Sequence, residues 1–507
     1  MARAKRAPAP KSTPRGGLNA TLASILEDLK AGRHGAALAQ LQRVQAAGLD
    51  DNPRVQHLHG LVLLTSGRSA EALPWLEKAA QAEPSTAAVQ ENLGVCRTAL
   101  GDASGALDAF RVALAQWPDK PTLLVNAGTA AQAAGQPDLA EALARRALGQ
   151  DDTHAPAWFL LGRIDYERLA LDQAEEALRR GLALAPKAFI GRDLLGHLHL
   201  RRHDYAAALT LFEVMASEWP NPQSLTNHGV SLHHLGHQQA SIERYQEALR
   251  LFLASGGAQV VPKPKTPMSV EQAHRTLRAL KQTLDSLRIP FFLVFGTLLG
   301  IVRDGRLLPN DKDLDLALPW ATPRAALVDA LAQAGFITPA ERQIKQDKDG
   351  AWRIAVVHLA TQISIDLFFA RGVESGVEFG VDYLPEPIRW RVRRFALAPL
   401  RYQGMELSAP APAEAFLEDF YGPDWRTPQH YCGVLRGAAL LPDAREGRLS
   451  FAYNRLMALL NEGNWKKAAA YCRQMKLVID ADPLIDQAQA LAEAHLGAST
   501  PPTKGPT

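Results

Sequence analysis

The sequence predicts a multidomain protein: an all-α solenoid of paired helices, then an α/β (α+β) domain, then a short C-terminal helical segment. Three observations carry this. Glycine, alanine and proline recur with a 34-residue period through the first half. The hydrophobic pattern changes from helical to strand-like after Pro290. At 507 residues, the chain is too long for one ordinary core. Hydrophobic residues at 47% and charged residues at 21% exclude a disordered chain. A net charge of +3 gives no reason to expect a nucleic-acid partner.

The N-terminus holds Arg3, Lys5, Arg6, Lys11 and Arg15 among prolines and small residues, with no acid and no following apolar run. It reads as a disordered basic tail over residues 1–18, not a secretory signal. A contact with phosphate or a membrane surface is the alternative. No run of about 18 apolar residues occurs, so no transmembrane segment is expected. The three cysteines, Cys96, Cys432 and Cys472, form no CxxC pair and support neither a disulfide framework nor a zinc site. Cytoplasmic residence is the expectation.

Gly60, Gly94, Gly128, Gly162 and Gly196 share one register of the repeat. Gly67, Gly101 and Gly135 share a second, and Ala72, Ala106, Ala140, Ala174 and Ala208 a third. Ala79, Ala113 and Ala147 add a fourth; Pro84, Pro118, Pro186 and Pro220 add a fifth, with Asp152 in the intervening slot. Small residues sit where two helices cross closely, glycine permits the turn between them, and proline starts the next unit. The pattern resembles the tetratricopeptide repeat, with about seven units over residues 19–253. Such arrays offer a concave groove, here expected to dock a protein partner or the acceptor of a reaction performed elsewhere in the chain. Trp75, Trp117, Trp158 and Trp219 either line that groove or pack between helices.

Residues 254–270, rich in glycine, proline and serine, read as a linker. The domain that follows spans 271–430. Leu277, Leu280, Leu284 and Leu287 mark one face of a helix. Phe291 to Phe295 is a buried strand by its apolar run, Asp313 to Ala317 alternates as a half-buried strand, Pro323 to Gly335 is a helix, and Trp352–His358 and Gln362–Phe369 are paired strands.

The chemistry-bearing residues cluster in this domain. Gly296 and Thr297 stand where a strand turns into a helix, a place where backbone N–H groups can meet phosphate. Asp313 and Asp315, two apart on a strand, point to one side; paired carboxylates of this kind suit Mg²⁺ or Mn²⁺. Asp366 alternates away from Ile363, Ile365 and Leu367 and needs a partner, either the same metal or a buried salt bridge.

The run from Gly296 to Leu318, GTLLGIVRDGRLLPNDKDLDLAL, resembles the LicD and fukutin branch of the nucleotidyltransferase superfamily. Gly296, Thr297, Leu298, Leu299, Gly300, Arg303, Pro309, Asp311, Asp313 and Asp315 match its signature, and Tyr421-Gly422 is similar to its C-terminal Tyr-Gly segment. Asn310 and Lys312 depart from it, where the family has tryptophan and a middle aspartate, and the zinc-binding cysteines of fukutin-related proteins have no counterpart.

The resemblance implies a metal-dependent transferase moving a phospho-substituent, such as phosphocholine or a polyol phosphate, from a CDP-linked donor to a hydroxyl of a glycan or glycoconjugate acceptor. Modification of a lipopolysaccharide or capsule belongs to that expectation. In this reading Asp313, Asp315 and Asp366 hold metal, with Asp366 alternatively the general base. Gly296 and Thr297 contact donor phosphate, Arg303 clamps it, and Asp311 orients the arginine or the metal's waters. Two alternatives remain: a nucleotidyltransferase modifying protein, RNA or a small molecule, and a non-catalytic repeat scaffold.

Arg353 and His358 share the strand before Asp366; the histidine reads as a satisfied sheet residue. Arg389, Arg391, Arg393 and Arg394 around Trp390 form either a solvated face or an anion-binding patch with a stacking indole. Residues 449–496 predict two or three helices that cap the catalytic domain, with half a repeat unit at Gly463, Asn464, Trp465 and Ala468, and residues 497–507 a disordered tail.

Overall fold

The computed structural model describes residues 15–257, 269–308, 311, 313–338, 350–382, 387–428, 435, 439–442, 445–479 and 481–498. Most of the expected basic tail, of the linker and of the C-terminal tail, together with Pro309, Asn310 and Lys312, lies outside the described residues.

Fourteen helices follow one another from Arg15 to Ala254: α1 (Arg15–Lys30) pairs with α2 (His34–Ala46), α3 (Pro53–Thr65) with α4 (Ser69–Ala82), α5 (Ala87–Ala99) with α6 (Ala103–Gln116), α7 (Pro121–Ala133) with α8 (Pro137–Gln150), α9 (Ala155–Glu167) with α10 (Leu171–Leu184), and α13 (Pro222–His234) with α14 (Gln238–Ala254), with α11 (Phe189–Arg201) and α12 (Tyr205–Glu218) between them in sequence. The first helix begins inside the stretch expected to be a tail, because Leu22 and Ile25 give it an apolar face to bury.

The chain divides into two compact units at Leu198. In the first, Gly60, Gly94, Gly128 and Gly162 each have an identifiable neighbour where a Cβ would lie. A Cβ on Gly60 would lie 2.5 Å from Leu76, and one on Gly94 would lie 2.6 Å from the Phe110 ring. Gly67, Gly101 and Gly135 take positive φ, and the following residue closes the turn by donating its N–H five residues back, as Arg68 does to the Leu63 carbonyl at 2.9 Å. Leu169 continues this register without glycine and still adopts φ 64°. The turn geometry is therefore imposed by packing even where the permissive residue is missing.

Of the four tryptophans, Trp75 lies on α4 and stacks on His59, Trp117 and Trp219 terminate α6 and α12, and Trp158 alone stands on the first helix of a pair.

The second unit holds α12 to α14, the sheet domain and the C-terminal helices. After α15 (Val270–Ser286), whose Leu277, Leu280 and Leu284 are buried, come β1 (Phe292–Leu293), α16 (Phe295–Asp304), β2 (Asp313–Pro319), α17 (Arg324–Gln333), β3 (Phe336–Ile337), β4 (Arg353–His358), β5 (Ile363–Val373), β6 (Gly376–Val381), β7 (Ile388–Val392), the hairpin β8 (Ala396–Tyr402) and β9 (Met405–Ala411), and α18 (Ala413–Tyr421). The main sheet is mixed, in the order β1-β2-β5-β4-β3, with β6 and β7 extending from the far end of β5. Among the described strands only β2 and β5 pair in parallel; their register sets Asp313 beside Ser364 and Asp315 beside Asp366. The leucines and isoleucines alternating with these acids are buried on the opposite face.

Three helices close the chain: α19 (Arg445–Asn461), α20 (Trp465–Met475) and α21 (Pro483–Ala498). Their anchoring contacts are to α13 and α14, which corrects the expectation that they cap the catalytic domain. His233 Nδ1 and the Ser241 hydroxyl both meet the Ser450 hydroxyl, at 2.7 and 2.8 Å. Gln246 donates to the Tyr453 hydroxyl at 3.2 Å and to Asp482 at 3.0 Å. The phase explains why. Gly463 adopts φ 64°, and Ala468, Cys472 and Met475 follow it at the spacing of Ala72, Leu76 and Ala79 after Gly67, all fully buried. Asn464 closes the turn on the Leu459 carbonyl at 2.9 Å, as Arg68 does on Leu63. Helices α19 and α20 are a further repeat pair, separated from α14 in sequence by the whole sheet domain.

Candidate active site

The site begins at a strained turn. Val294 is extended, but Phe295, the next residue, has φ 44°, a left-handed value a bulky side chain adopts only when its surroundings hold it. Phe368, Phe379, Phe416, Phe420 and Trp390 enclose its ring. The turn aims the start of α16 at β2, and Asp315 laces the two together. Its carboxylate accepts the Gly296 N–H at 2.8 Å, its own N–H donates to the Thr297 hydroxyl at 2.7 Å, and its carbonyl faces the Val294 N–H at 3.4 Å. Asp315 thus serves as the cap that α16 lacks from its own N-cap residue.

Asp311 converges on the same point. A Cβ on Gly296 would lie 2.4 Å from the Asp311 carboxylate and 2.9 Å from that of Asp315, so only glycine leaves room for both acids. The loop bearing Asp311 is fixed behind it. Gly305 ends α16 with φ 67°, the Leu307 N–H donates to the Tyr402 hydroxyl at 3.1 Å, and that hydroxyl also pairs with His274 at 2.6 Å. Tyr402 and His274 were not legible as site supports, since they come from β8 and α15, distant in sequence.

On β5, Asp366 is buried and takes a hydrogen bond and ion pair from Arg353 on β4. The antiparallel register places Arg353 opposite Phe368, so the guanidinium reaches diagonally to Asp366 on the same sheet face as Asp313 and Asp315. This is the salt bridge that the sequence left as the alternative to a shared metal.

The crowding shows in the protonation equilibria. Burial, then the charges of Asp366 and Asp311 and a hydrogen bond with Asp311, push the Asp313 carboxyl up to about 7, with Arg353 pulling the other way. Burial and then Asp313, Asp311 and Asp366 hold Asp315 well above the usual carboxylate range, against the hydrogen bond from Gly296. Four carboxylates held together out of bulk water favour either protons or an added cation. Among the described residues, no three His, Cys, Asp or Glu side chains are already gathered in metal-ligating geometry. Asp315 is turned to the Gly296 N–H and Asp366 to Arg353.

A family model described as LicD/FKTN/FKRP, nucleotidyltransferase domain, matches residues 288–414, and a tetratricopeptide repeat model matches 22–85, 57–121 and 125–189. The chain thus carries tetratricopeptide repeats within residues 22–189 and a stretch that matches the LicD/FKTN/FKRP domain model over 288–414. Ribitol-5-phosphate transferase FKTN from Macaca fascicularis is 23% identical over 164 residues, covering 31% of this chain and 34% of the relative. The human protein of that name matches to the same extent. The chain thus spans about a third of the length of these curated relatives. Among solved structures, a tetratricopeptide repeat protein from Parabacteroides merdae is 16% identical with a TM-score of 0.40, over 46% of this chain and 92% of that one. The type IV pilus biogenesis factor PilW is 18% identical with a TM-score of 0.36, over 40% and 93%.

Within the LicD-type domain the structure gathers Gly296, Thr297, Asp311, Asp313, Asp315 and Asp366. It gives Thr297, buried at 2% exposure, a bond to the Asp315 backbone. The Arg303 guanidinium makes a two-pronged bond to the neighbouring Asp304 at 2.7 and 3.0 Å.

The basic cluster is a partly solvated face, with Arg393 and Arg394 exposed, whose members are paired within the domain. Arg391 and Arg389 converge on the buried Glu378, Arg393 holds Asp419, and Arg394 bonds the Val373 and Glu374 carbonyls. Trp390 is a core residue at 4% exposure, so its indole is no stacking platform. His358 bonds Thr361 at 2.9 Å and stacks on Phe336, as a sheet histidine.

Proposed function

We propose that the LicD-type domain is a metal-dependent transferase of the nucleotidyltransferase fold. It moves a phospho-substituent of polyol-phosphate or phosphocholine type from a CDP-linked donor to the hydroxyl of a glycan or glycoconjugate. The convergence of Asp311, Asp313, Asp315 and Asp366 at the N-terminus of α16 is the observation that supports this reading most directly. The relatives' printed activity, ribitol-5-phosphate transfer, has the same chemical form.

Asp313 and Asp315 would hold Mg²⁺ or Mn²⁺, with Asp366 within reach of a second position. Hard carboxylate oxygens suit these ions, and the raised protonation equilibria of Asp313 and Asp315 are those of acids lacking a counter-charge. When bound, such an ion neutralises charge on the donor diphosphate.

The chain's own groups supply the rest. Gly296 leaves space for the acids at the helix terminus, the Thr297 and Tyr402 hydroxyls tie to β2 and to Leu307, and Asp366 would take the acceptor's proton. The acceptor oxygen bonds to the phosphorus that carries the substituent, the bond to the bridging oxygen breaks, and CMP leaves. The repeat array would dock the acceptor or a protein partner. Among the described residues, no helix is long and apolar enough to cross a membrane.

The test is incubation of the protein with Mg²⁺ and a panel of CDP-ribitol, CDP-glycerol and CDP-choline. CMP release from one of them, lost on chelation, is the expected result. No release from any donor, with either Mg²⁺ or Mn²⁺, overturns the reading.

A further inference from the structure

Helix α15 precedes the strands of the sheet domain in sequence, yet one of its side chains joins the support of the acidic site. His274 Nε2 meets the Tyr402 hydroxyl at 2.6 Å, and the two rings stand edge to face with centroids 5.3 Å apart. Tyr402 ends β8 at the tip of the β8–β9 hairpin, where Gln403 and Gly404 turn the chain with φ 49° and 72°. Arg278, one helical turn after His274, donates to the Gln403 carbonyl at 3.4 Å. Helix α15 is itself anchored, since the buried Thr276 hydroxyl pairs with that of Thr361 between β4 and β5.

The Tyr402 hydroxyl is engaged on both sides. The Leu307 N–H donates to its oxygen at 3.1 Å, which leaves the hydroxyl hydrogen for His274 Nε2. Burial, then the charge of Arg278, holds the His274 imidazole below its ordinary range, so at neutral pH the ring is uncharged and can accept that hydrogen. Tyr402 and Leu307 are both buried, so loss of the hydroxyl would strand an N–H away from water.

The next links lead to the acids. The Arg306 carbonyl and the Leu308 nitrogen lie 2.7 and 3.0 Å from where a Gly300 Cβ would stand, so this stretch is seated directly on α16. The Leu308 carbonyl accepts the Asp311 N–H at 3.1 Å. The Asp311 carboxylate stands against Gly296, hydrogen-bonds Asp313 and crowds Asp315.

We propose that Tyr402, oriented by His274, is a positioning residue that holds the Asp311 carboxylate in the candidate metal site. The proposal rests on the metal-site reading of the acids, but not on the identity of the donor or the acceptor.

The experiment is a double-mutant cycle. MnCl₂ is titrated by calorimetry into the full-length protein for the wild type, Tyr402→Phe, Asp311→Asn and the double variant, and thermal midpoints are measured without metal. Tyr402→Phe removes only the hydroxyl and should weaken Mn²⁺ binding about tenfold. In the Asp311→Asn background the same substitution should change Mn²⁺ affinity by less than about twofold, because the carboxylate it positions is gone. A merely structural role would give the same loss in both backgrounds. Tyr453→Phe removes another hydrogen-bonded hydroxyl, the one that meets Gln246 on α14, and should lower the midpoint without changing Mn²⁺ affinity. His274→Gln keeps a hydrogen-bonding group and should lose less Mn²⁺ affinity than His274→Ala. These two variants take the place of Tyr402→Phe in the cycle if that variant does not fold.

Wild-type Mn²⁺ affinity in Tyr402→Phe, or an equal loss in both Asp311 backgrounds, overturns the proposal. No Mn²⁺ binding by the wild type overturns it together with the metal site. If the cycle shows coupling but no CDP-linked donor releases CMP, the positioning role stands and the transferase reading falls. If CMP is released but the cycle is additive, the reverse holds.

Discussion

Gly94 in the repeat array and Gly296 in the sheet domain are both glycines because a Cβ would collide, yet they collide with different things. At Gly94 the obstacle is the Phe110 ring, 2.6 Å away and 1% exposed, with no room to retreat. At Gly296 the obstacles are the ends of two aspartate side chains, at 2.4 and 2.9 Å. A packed ring cannot yield without opening the core, whereas a carboxylate can rotate aside at little cost to folding. The array therefore spends its small residues on packing, and the sheet domain spends this one on where charge sits. The two regions should separate cleanly under mutation.

The largest effect is expected at Asp313. Asp313→Asn keeps the shape and removes the charge, and metal-dependent CMP release should fall on the order of a thousandfold while the thermal midpoint holds or rises. Normal turnover by this variant would remove Asp313 from the metal site. Next is Gly296→Ala, which displaces Asp311 and Asp315: about a hundredfold loss of turnover, with stability changed by less than about 1 kcal/mol. Unfolding as severe as that of Gly94→Ala would erase the distinction drawn above. Gly94→Ala should instead lose about 1–3 kcal/mol of stability and leave CMP release intact below its melting range, as read by denaturant unfolding and the same assay.

Ser450→Ala withdraws the hydroxyl shared by His233 and Ser241, and should cost about 1–3 kcal/mol in the second unit. An unchanged midpoint would show that α19 does not depend on this contact.

The smallest effect is in pH. Asp313 and Asp315 are raised in the folded state, so between the ordinary carboxylate pKa and about 7 the folded protein binds more protons than the unfolded chain. Stability without metal must then fall as pH rises through that window, and saturating Mg²⁺ should flatten the slope. A midpoint that rises with pH in chelator would contradict the crowding of these acids.

The same contrast explains what was legible. Repeats announce themselves because each unit meets its neighbour by the same contacts, so Gly60 and Gly94 carry one message twice. The acid pair was legible because alternation on a strand fixes which side Asp313 and Asp315 face, and the parallel register then brings Asp366 alongside. Contacts with no local signature were not legible. Arg353 is 13 residues from Asp366, Tyr402 is 95 from Leu307, and the direction Arg303 turns depends on an immediate neighbour that propensity arguments ignore. The C-terminal pair was half visible at Gly463 and Ala468, but its partner helix lies on the far side of an entire domain.

That last feature has a consequence for synthesis. Ser241 and His233 leave the ribosome long before Ser450 does. At about 5–20 residues per second, the interval between the end of α14 and the start of α19 is about 10–40 s. Through that time the face of α14 that carries Ser241 and Gln246 waits without its partners Ser450 and Tyr453 while the sheet domain is still being made. A chain that stops early never covers it, and so carries a mark of its own incompleteness for chaperones and proteases to read.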